Sequence, residues 1–344
     1  MRDSSPAYDV LGHVTVPVDL GRPDVMTMTI ELEPGSPGSG PHRHSGPVFM
    51  SDTEIDRVAR EDRDAREDRG MRIFVAGGSG VIGSRLVPRL VAAGHAITAT
   101  TRTEANLERL GALGARGVLL DVFDAEAVRT AVVAASPDVV MHMVTDLSDA
   151  DLAANGRLRQ VGTDHLVDAA KAAGVERMIA QSVAWVFPDG DEPATEGESI
   201  IPGSPVAHLE ARVREIPHAT ILRFGMFYGP GTWYAPGGRM AQAVMAGAVS
   251  ATPAISSFVH VDDAIAAVVQ ALDWPDGTVH IVDDEPAESA VWLPRYAEGL
   301  GAPAPRREQL PDGAPRGRAV SNGKARALGW VPGHPSWREG FPRL

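Results

Sequence analysis

The chain has 344 residues, a hydrophobic fraction of 44%, a charged fraction of 22% and no cysteine. Such a composition belongs to an ordinary globular protein with room for one large α/β domain and an appendage, at roughly 150 residues per domain, and without cysteine it excludes disulfides, thiolate metal sites and thiol nucleophiles. A formal charge of −13 argues against nucleic acid and anionic membranes as partners, because both require a basic surface.

No apolar run reaches the roughly 18 to 20 residues of a membrane span. The N-terminus lacks a basic segment followed by an apolar core, so the expected location is the cytoplasm. Residues 1–49 read as β-structure. Val25-Met26-Thr27-Met28-Thr29-Ile30-Glu31-Leu32 alternates and is rich in β-branched side chains. A turn-rich stretch, 34–41, then leads to His42-Arg43-His44. Residues 50–70 differ in composition. Asp, Glu and Arg dominate from Asp56 to Arg69, and Arg-Glu-Asp-Arg occurs at 60–63 and again at 66–69. Such a segment supplies no core. It reads as a linker, either a solvated helix held by charges three and four apart or a disordered tether.

From Met71 onward strands alternate with helices, the mark of a parallel α/β sheet. Strands are predicted near 72–76, 96–101, 117–121, 138–144, 177–183, 219–224 and 278–282. Helices are predicted near 81–93, 104–113, 124–134, 155–173, 205–215, 236–247, 262–273 and 289–300. Pro88 lies inside the first helix and predicts a kink there.

The first strand, Arg72-Ile73-Phe74-Val75-Ala76, passes directly into Gly77-Gly78-Ser79-Gly80-Val81-Ile82-Gly83 and then a helix. The first glycine of the Gly77, Gly80, Gly83 triplet permits the tight turn. The second lets the backbone approach a diphosphate, and the third lets helix and strand pack closely. Free N–H groups at the helix N-terminus complete the cradle. Gly77, Ser79, Gly80, Val81, Ile82 and Gly83 are therefore the expected phosphate-binding residues. The second strand ends at Thr101-Arg102, with no acid between Gly94 and Thr103. An acid there would favour the ribose hydroxyl of NAD, whereas an arginine suits the 2′-phosphate of NADP. NADP is the expected cofactor, with NAD as the alternative, and a solvated Arg102 is the competing reading. Asp121 and Val122, after the third strand, complete the cofactor set; Asp121 reads equally as a helix cap.

These features resemble the extended and atypical short-chain dehydrogenases, the NAD-dependent epimerase/dehydratase group. Gly162-Thr163 at a helix start, Leu222-Arg223-Phe224-Gly225-Met226-Phe227-Tyr228-Gly229-Pro230-Gly231 and Phe258-Val259-His260-Val261-Asp262-Asp263 carry the likeness beside the glycine loop. So does the Leu328-Gly329-Trp330 ending. The resemblance implies an α/β fold, a doubly wound Rossmann-type parallel sheet spanning 71–344, with a small C-terminal substrate lobe mainly from residue 225 onward. It also implies a Ser or Thr, a Tyr, and a Lys four residues after the Tyr. Ser182 fits the serine position. The tyrosine and lysine do not follow: the segment Pro202 to Glu210 contains neither. The chain has four tyrosines, Tyr8, Tyr228, Tyr234 and Tyr296, and none has lysine four positions later.

Three readings stay open. The first is an NAD(P)-dependent oxidoreductase or epimerase-like enzyme acting on a small organic substrate, with Ser182 and Tyr228 as the catalytic candidates and Tyr234 and His208 as further acids. The second is a cofactor-binding regulatory module without turnover. The third is a non-redox isomerase or cyclase with Trp185, Trp233 and Tyr234 walling a flat substrate. The first is favoured. The expected partners are a small-molecule substrate and a second copy of the chain. Residues 34–44 resemble the first motif of cupins, but no second motif follows and about 50 residues do not close that barrel. The segment is read as a truncated, metal-free β appendage.

Overall fold

β1 (Arg72–Ala76) alternates its side chains between two apolar layers. Ile73 and Val75 face one buried cluster, while Phe74 and Ala76 face another, as the period of two along a strand requires. That alternation marks a central strand covered on both sides. The computed structural model describes residues 70–145 and 152–341, which belong to one compact unit. The readings of residues 1–69, including the β appendage, the His42/His44 pair and nearly all of the charged linker, lie outside the described residues.

In chain order β1 is followed by α1 (Gly83–Ala92), β2 (Ala96–Thr101), α2 (Ala105–Ala112), β3 (Arg116–Leu119), α3 (Ala125–Ala135) and β4 (Val139–His142). Then come α4 (Leu152–Arg157), a π-helical turn (Leu158–Gly162), α5 (Thr163–Ala172), β5 (Arg177–Val183), α6 (Pro205–Val213) and β6 (His218–Phe224). The C-terminal part holds β7 (Met226–Tyr228), α7 (Arg239–Met245), β8 (Ile255–Ser256), β9 (Phe258–His260), α8 (Val261–Gln270) and β10 (Gly277–Ile281). It ends with β11 (Ala287–Glu288), α9 (Ser289–Leu300), α10 (Gly323–Ala327) and α11 (Trp337–Gly340).

The main sheet has seven strands in the order β10-β6-β5-β4-β1-β2-β3, and every pairing in it is parallel. The order reverses at β1 and β4, the place where open α/β sheets bind ligands beyond their strand ends. On one face Leu86, Val87 and Leu90 of α1 pack with Ala264, Ile265 and Val268 of α8. On the other, Val128 and Val132 of α3 join Leu166 and Val167 of α5 and Leu209 and Val213 of α6. A third, aromatic cluster forms the C-terminal lobe from Tyr228, Tyr234, Phe258, Trp292, Tyr296, Trp337 and Phe341.

Four differences from the sequence reading have physical causes. α1 runs unbroken through Pro88. An interior proline costs about 3 kcal/mol, but three fully buried side chains on the same helix return about 1.5–3 kcal/mol each. The helix predicted over 155–173 is divided by the π-helical turn. The helix predicted over 236–247 shortens to α7 because Gly237 adopts φ +76°. Two small sheets, β7 with β9 and β8 with β11, were not predicted; strands of two or three residues leave no periodicity to read.

Candidate active site

A cavity of about 650 Å³ opens over the C-terminal ends of the parallel strands. The glycine loop after β1 forms one wall. A Cβ on Gly83 would lie 2.2 Å from the Gly77 carbonyl oxygen, so only glycine lets the loop close on the helix. Gly77 has φ +89°, and a side chain there would also strike the Met143 carbonyl at 2.7 Å. No side chain caps α1 at Ile82, and no acid stands in its first turn. The N–H groups of Val81 and Ile82 donate to no protein group among the described residues. This uncapped, glycine-lined helix start fits a dinucleotide diphosphate, which would accept those N–H groups and meet the positive end of the helix dipole.

The other expected cofactor residues surround the same wall. Ser79 and Arg102 line the cavity, Arg102 from the end of β2, and so do Asp121 and Val122 after β3. Asp121 Oδ1 accepts the Phe123 N–H at 3.0 Å. The helix cap is a different residue, Asp124, whose Oδ1 accepts from Ala127 N–H at 3.0 Å. Gly80, Val81 and Ile82 also line the cavity.

At the opposite wall Ser182 lies at the end of β5, 1% exposed. Its Oγ donates to Glu210 Oε1 at 2.8 Å. Glu210, fully buried on α6, also receives Arg223 Nε at 2.7 Å, a second Arg223 nitrogen at 2.7 Å and Arg214 at 2.9 Å. Burial alone would raise the Glu210 carboxyl. The bidentate Arg223 guanidinium, with Ser182 and Arg214, holds it below the usual carboxylate range instead. The single Ser182 proton is thereby committed to a carboxylate. No residue of α6 lines the cavity.

The remaining candidates separate. Tyr228 does not line the cavity. It is fully buried in the aromatic cluster, edge-on to Phe258, His260 and Phe341. Its hydroxyl has no hydrogen-bond partner among the described residues, and burial pushes its pKa up. The geometry therefore gives it a packing place. Tyr234 does line the cavity, but its hydroxyl is turned to Met226 Sδ at 3.3 Å and burial raises its pKa. His208 pairs with Asp164 at 2.8 Å on α6 and does not line the cavity. Trp185 and Trp233 both line it, and Trp185 is 50% exposed.

Sequence reasoning missed Glu210 and Arg223. The available signal was an arginine inside the apolar run Ile221-Leu222-Arg223-Phe224, because a buried charge comes with a partner. It also missed Asn155 and Arg159, which line the cavity from α4 and the π-helical turn. His260, Asp263 and His334 bring three ligand-type groups within 4.8 Å. The two imidazole rings stack face to face at 3.7 Å, so their lone pairs do not converge on one ion. Asp263 is already occupied by the Gly333 and His334 N–H groups at 3.0 and 2.9 Å.

The sequence model described as "NAD dependent epimerase/dehydratase family" matches residues 73–282. A Streptomyces sp. protein named 3-diazoavenalumate denitrifying reductase is 41% identical over 309 residues, covering 79% of this chain and 100% of that protein. Among solved structures, UDP-glucose 4-epimerase of Thermotoga maritima with UDP-glucose has a TM-score of 0.65 at 23% identity, over 78% of this chain and 96% of that one. The dTDP-glucose 4,6-dehydratase of Streptomyces venezuelae, with NAD bound, has a TM-score of 0.66 at 22% identity, over 79% and 95%. At these identities the two structures share the fold.

Proposed function

The chain belongs to the NAD-dependent epimerase/dehydratase family and is an enzyme of the oxidoreductase/epimerase type; from that premise we propose that it is an NADP-dependent reductase of a small arenediazonium compound. The observation that carries this reading is the lack, among the described residues, of an available acid at the cavity. α6 contributes no side chain to it, the Ser182 proton is held by Glu210, and burial weakens the Tyr234 phenol as an acid. Reduction of a carbonyl leaves an alkoxide that needs a proton. Replacement of dinitrogen by hydride on a diazonium cation leaves no such charge. The relative named 3-diazoavenalumate denitrifying reductase supports the same class.

A reduced nicotinamide held there would supply a hydride: at a diazonium carbon a C–H bond would form as the C–N bond breaks, its electron pair leaving in N₂, with the dinucleotide left oxidised. The chain's own residues bind and orient. Gly77 to Gly83 hold the diphosphate, and Arg102 would meet the 2′-phosphate. Trp185, Trp233 and Phe227 line the cavity for a flat apolar substrate. Ser182 offers lone pairs only, so it accepts from the substrate and does not protonate it.

The test supplies NADPH with an arenediazonium salt and, separately, with a panel of aldehydes and ketones, each corrected for the enzyme-free rate. One N₂ released per NADPH consumed, with deuterium from 4-deuterated NADPH on the product carbon, is the expected result. Oxidation of NADPH by carbonyl compounds alone would replace this reading with a ketoreductase. Tight NADPH binding with no turnover on either panel would favour a regulatory module.

A further inference from the structure

Among the described residues, the half-buried and buried arginines have protein partners, with one exception. Arg223 is paired with Glu210, Arg212 with Asp164, Asp168 and Glu215, and Arg318 with Glu198. Arg177 donates to the Ala271 and Trp274 carbonyls, and Arg85 to those of Val81 and Pro230. Arg159 is half-buried and lines the cavity, yet no hydrogen bond or ion pair to it exists among the described residues. Burial holds its pKa below the usual guanidinium value, with no carboxylate to offset that. The titratable neighbour that feels its charge, His142, is itself kept neutral, with burial first and Arg159 second lowering its pKa to about 4.

A cation withdrawn from water without a counter-ion is costly. One placed on the wall of a mostly apolar cavity is an anion site waiting for its ligand. Its position supports this. The π-helical turn inserts one extra residue between α4 and α5, a device common at functional sites, and the turn packs against α6, the helix tied to Ser182 through Glu210. The same segment, with the start of α5, also meets the loop after β3, where the Val122 carbonyl lies 2.8 Å from His165 Nδ1, so Arg159 lines the cavity from a segment that touches both the Ser182 side and the Asp121–Val122 side.

We infer that Arg159 anchors a carboxylate on the substrate, so that the enzyme acts on a flat aromatic acid held between Arg159 and the tryptophan-lined wall. This rests on the cavity being the substrate site proposed above, but not on the fate of the substrate there. A phosphate of the cofactor presents the same anionic chemistry to a guanidinium, and the experiment separates the two sources.

The probes are trans-cinnamate and its uncharged amide, titrated calorimetrically into the full-length protein saturated with NADP. Wild type is expected to bind the carboxylate about tenfold or more tighter than the amide. Arg159→Gln loses that preference by weakening the carboxylate alone, Arg159→Lys keeps part of it, and NADPH affinity stays within about twofold. The melting temperature of Arg159→Gln is expected at or above wild type, because an uncompensated charge has been removed. Equal binding of acid and amide by wild type overturns the inference. So does a preference that survives Arg159→Gln, or a loss of NADPH affinity in that variant, which would assign the anion to the cofactor. Because binding is measured without turnover, the carboxylate preference stands or falls separately from N₂ release.

Discussion

His142 closes β4 beneath the cavity, fully buried, with Nε2 2.9 Å from Thr163 Oγ1. Its Nδ1 accepts the Val144 N–H at 3.4 Å, so the neutral ring donates through Nε2. Burial, then the charge of Arg159, lowers its pKa to about 4 from 6.5. The unfolded chain takes up a proton as the pH falls through 6.5 and the folded chain does not, so stability is lost on acidification across that window. The full difference is about 3 kcal/mol. Chemical denaturation of wild type and His142→Asn at pH 7 and pH 4.5 is expected to show a shallower acid loss in the variant. An identical loss in both would remove His142 from the account. At this scale the glycine loop was legible, because its spacing follows from backbone sterics alone. Ser182 was legible by position, but the direction of its proton was not. That depends on Glu210, which lies 28 positions away in sequence and is brought to it by α6 packing on β5.

One of the carboxylates that meet the C-terminal tail stands on α8. Asp263, in the first turn of α8, accepts from Gly333 N–H and His334 N–H, and its carbonyl accepts the Trp330 indole N–H at 3.1 Å. The tail loop is thereby held against α8, with Trp330 fully buried behind the sheet. Asp263→Ala leaves two backbone N–H groups without acceptors and is expected to cost about 3 kcal/mol. That corresponds to a drop of about 6–12 °C in melting temperature, readable by calorimetry; a change under about 2 °C would mean the tail is held by its other contacts, such as Trp337 N–H to Asp283 and Trp337 Nε1–H to the Glu285 carbonyl. The long strands and helices were readable because each repeats its period several times. The π-helical turn was not. It adds one residue between two helices of the same period, and a pattern read over 155–173 does not register a single insertion. The position of Tyr228 was not readable for a related reason: its motif placed it near a strand end, but β7 pairs with β9, outside the main sheet, and turns it into the aromatic cluster.

For the whole molecule, the seven-stranded sheet and both its apolar layers are assembled from residues after Gly70. A chain beginning at Met71 is therefore expected to fold and to bind NADPH more tightly than NADH, as read by melting shifts with each. An insoluble product, or one blind to both dinucleotides, would show that the preceding residues are needed. Composition, alternation and glycine spacing were enough to read a parallel α/β sheet with a glycine-lined strand-to-helix corner, because strand period, helix period and positive φ are local properties of the backbone. The Ser182–Glu210–Arg223 group and, among the described residues, the acid-poor cavity and the Arg159 guanidinium without a partner were decided only by tertiary structure. Whether a polar side chain meets a partner, water or an empty wall depends on residues far apart in the chain, and burial, which sets the strength of every charge there, exists only once the layers have closed.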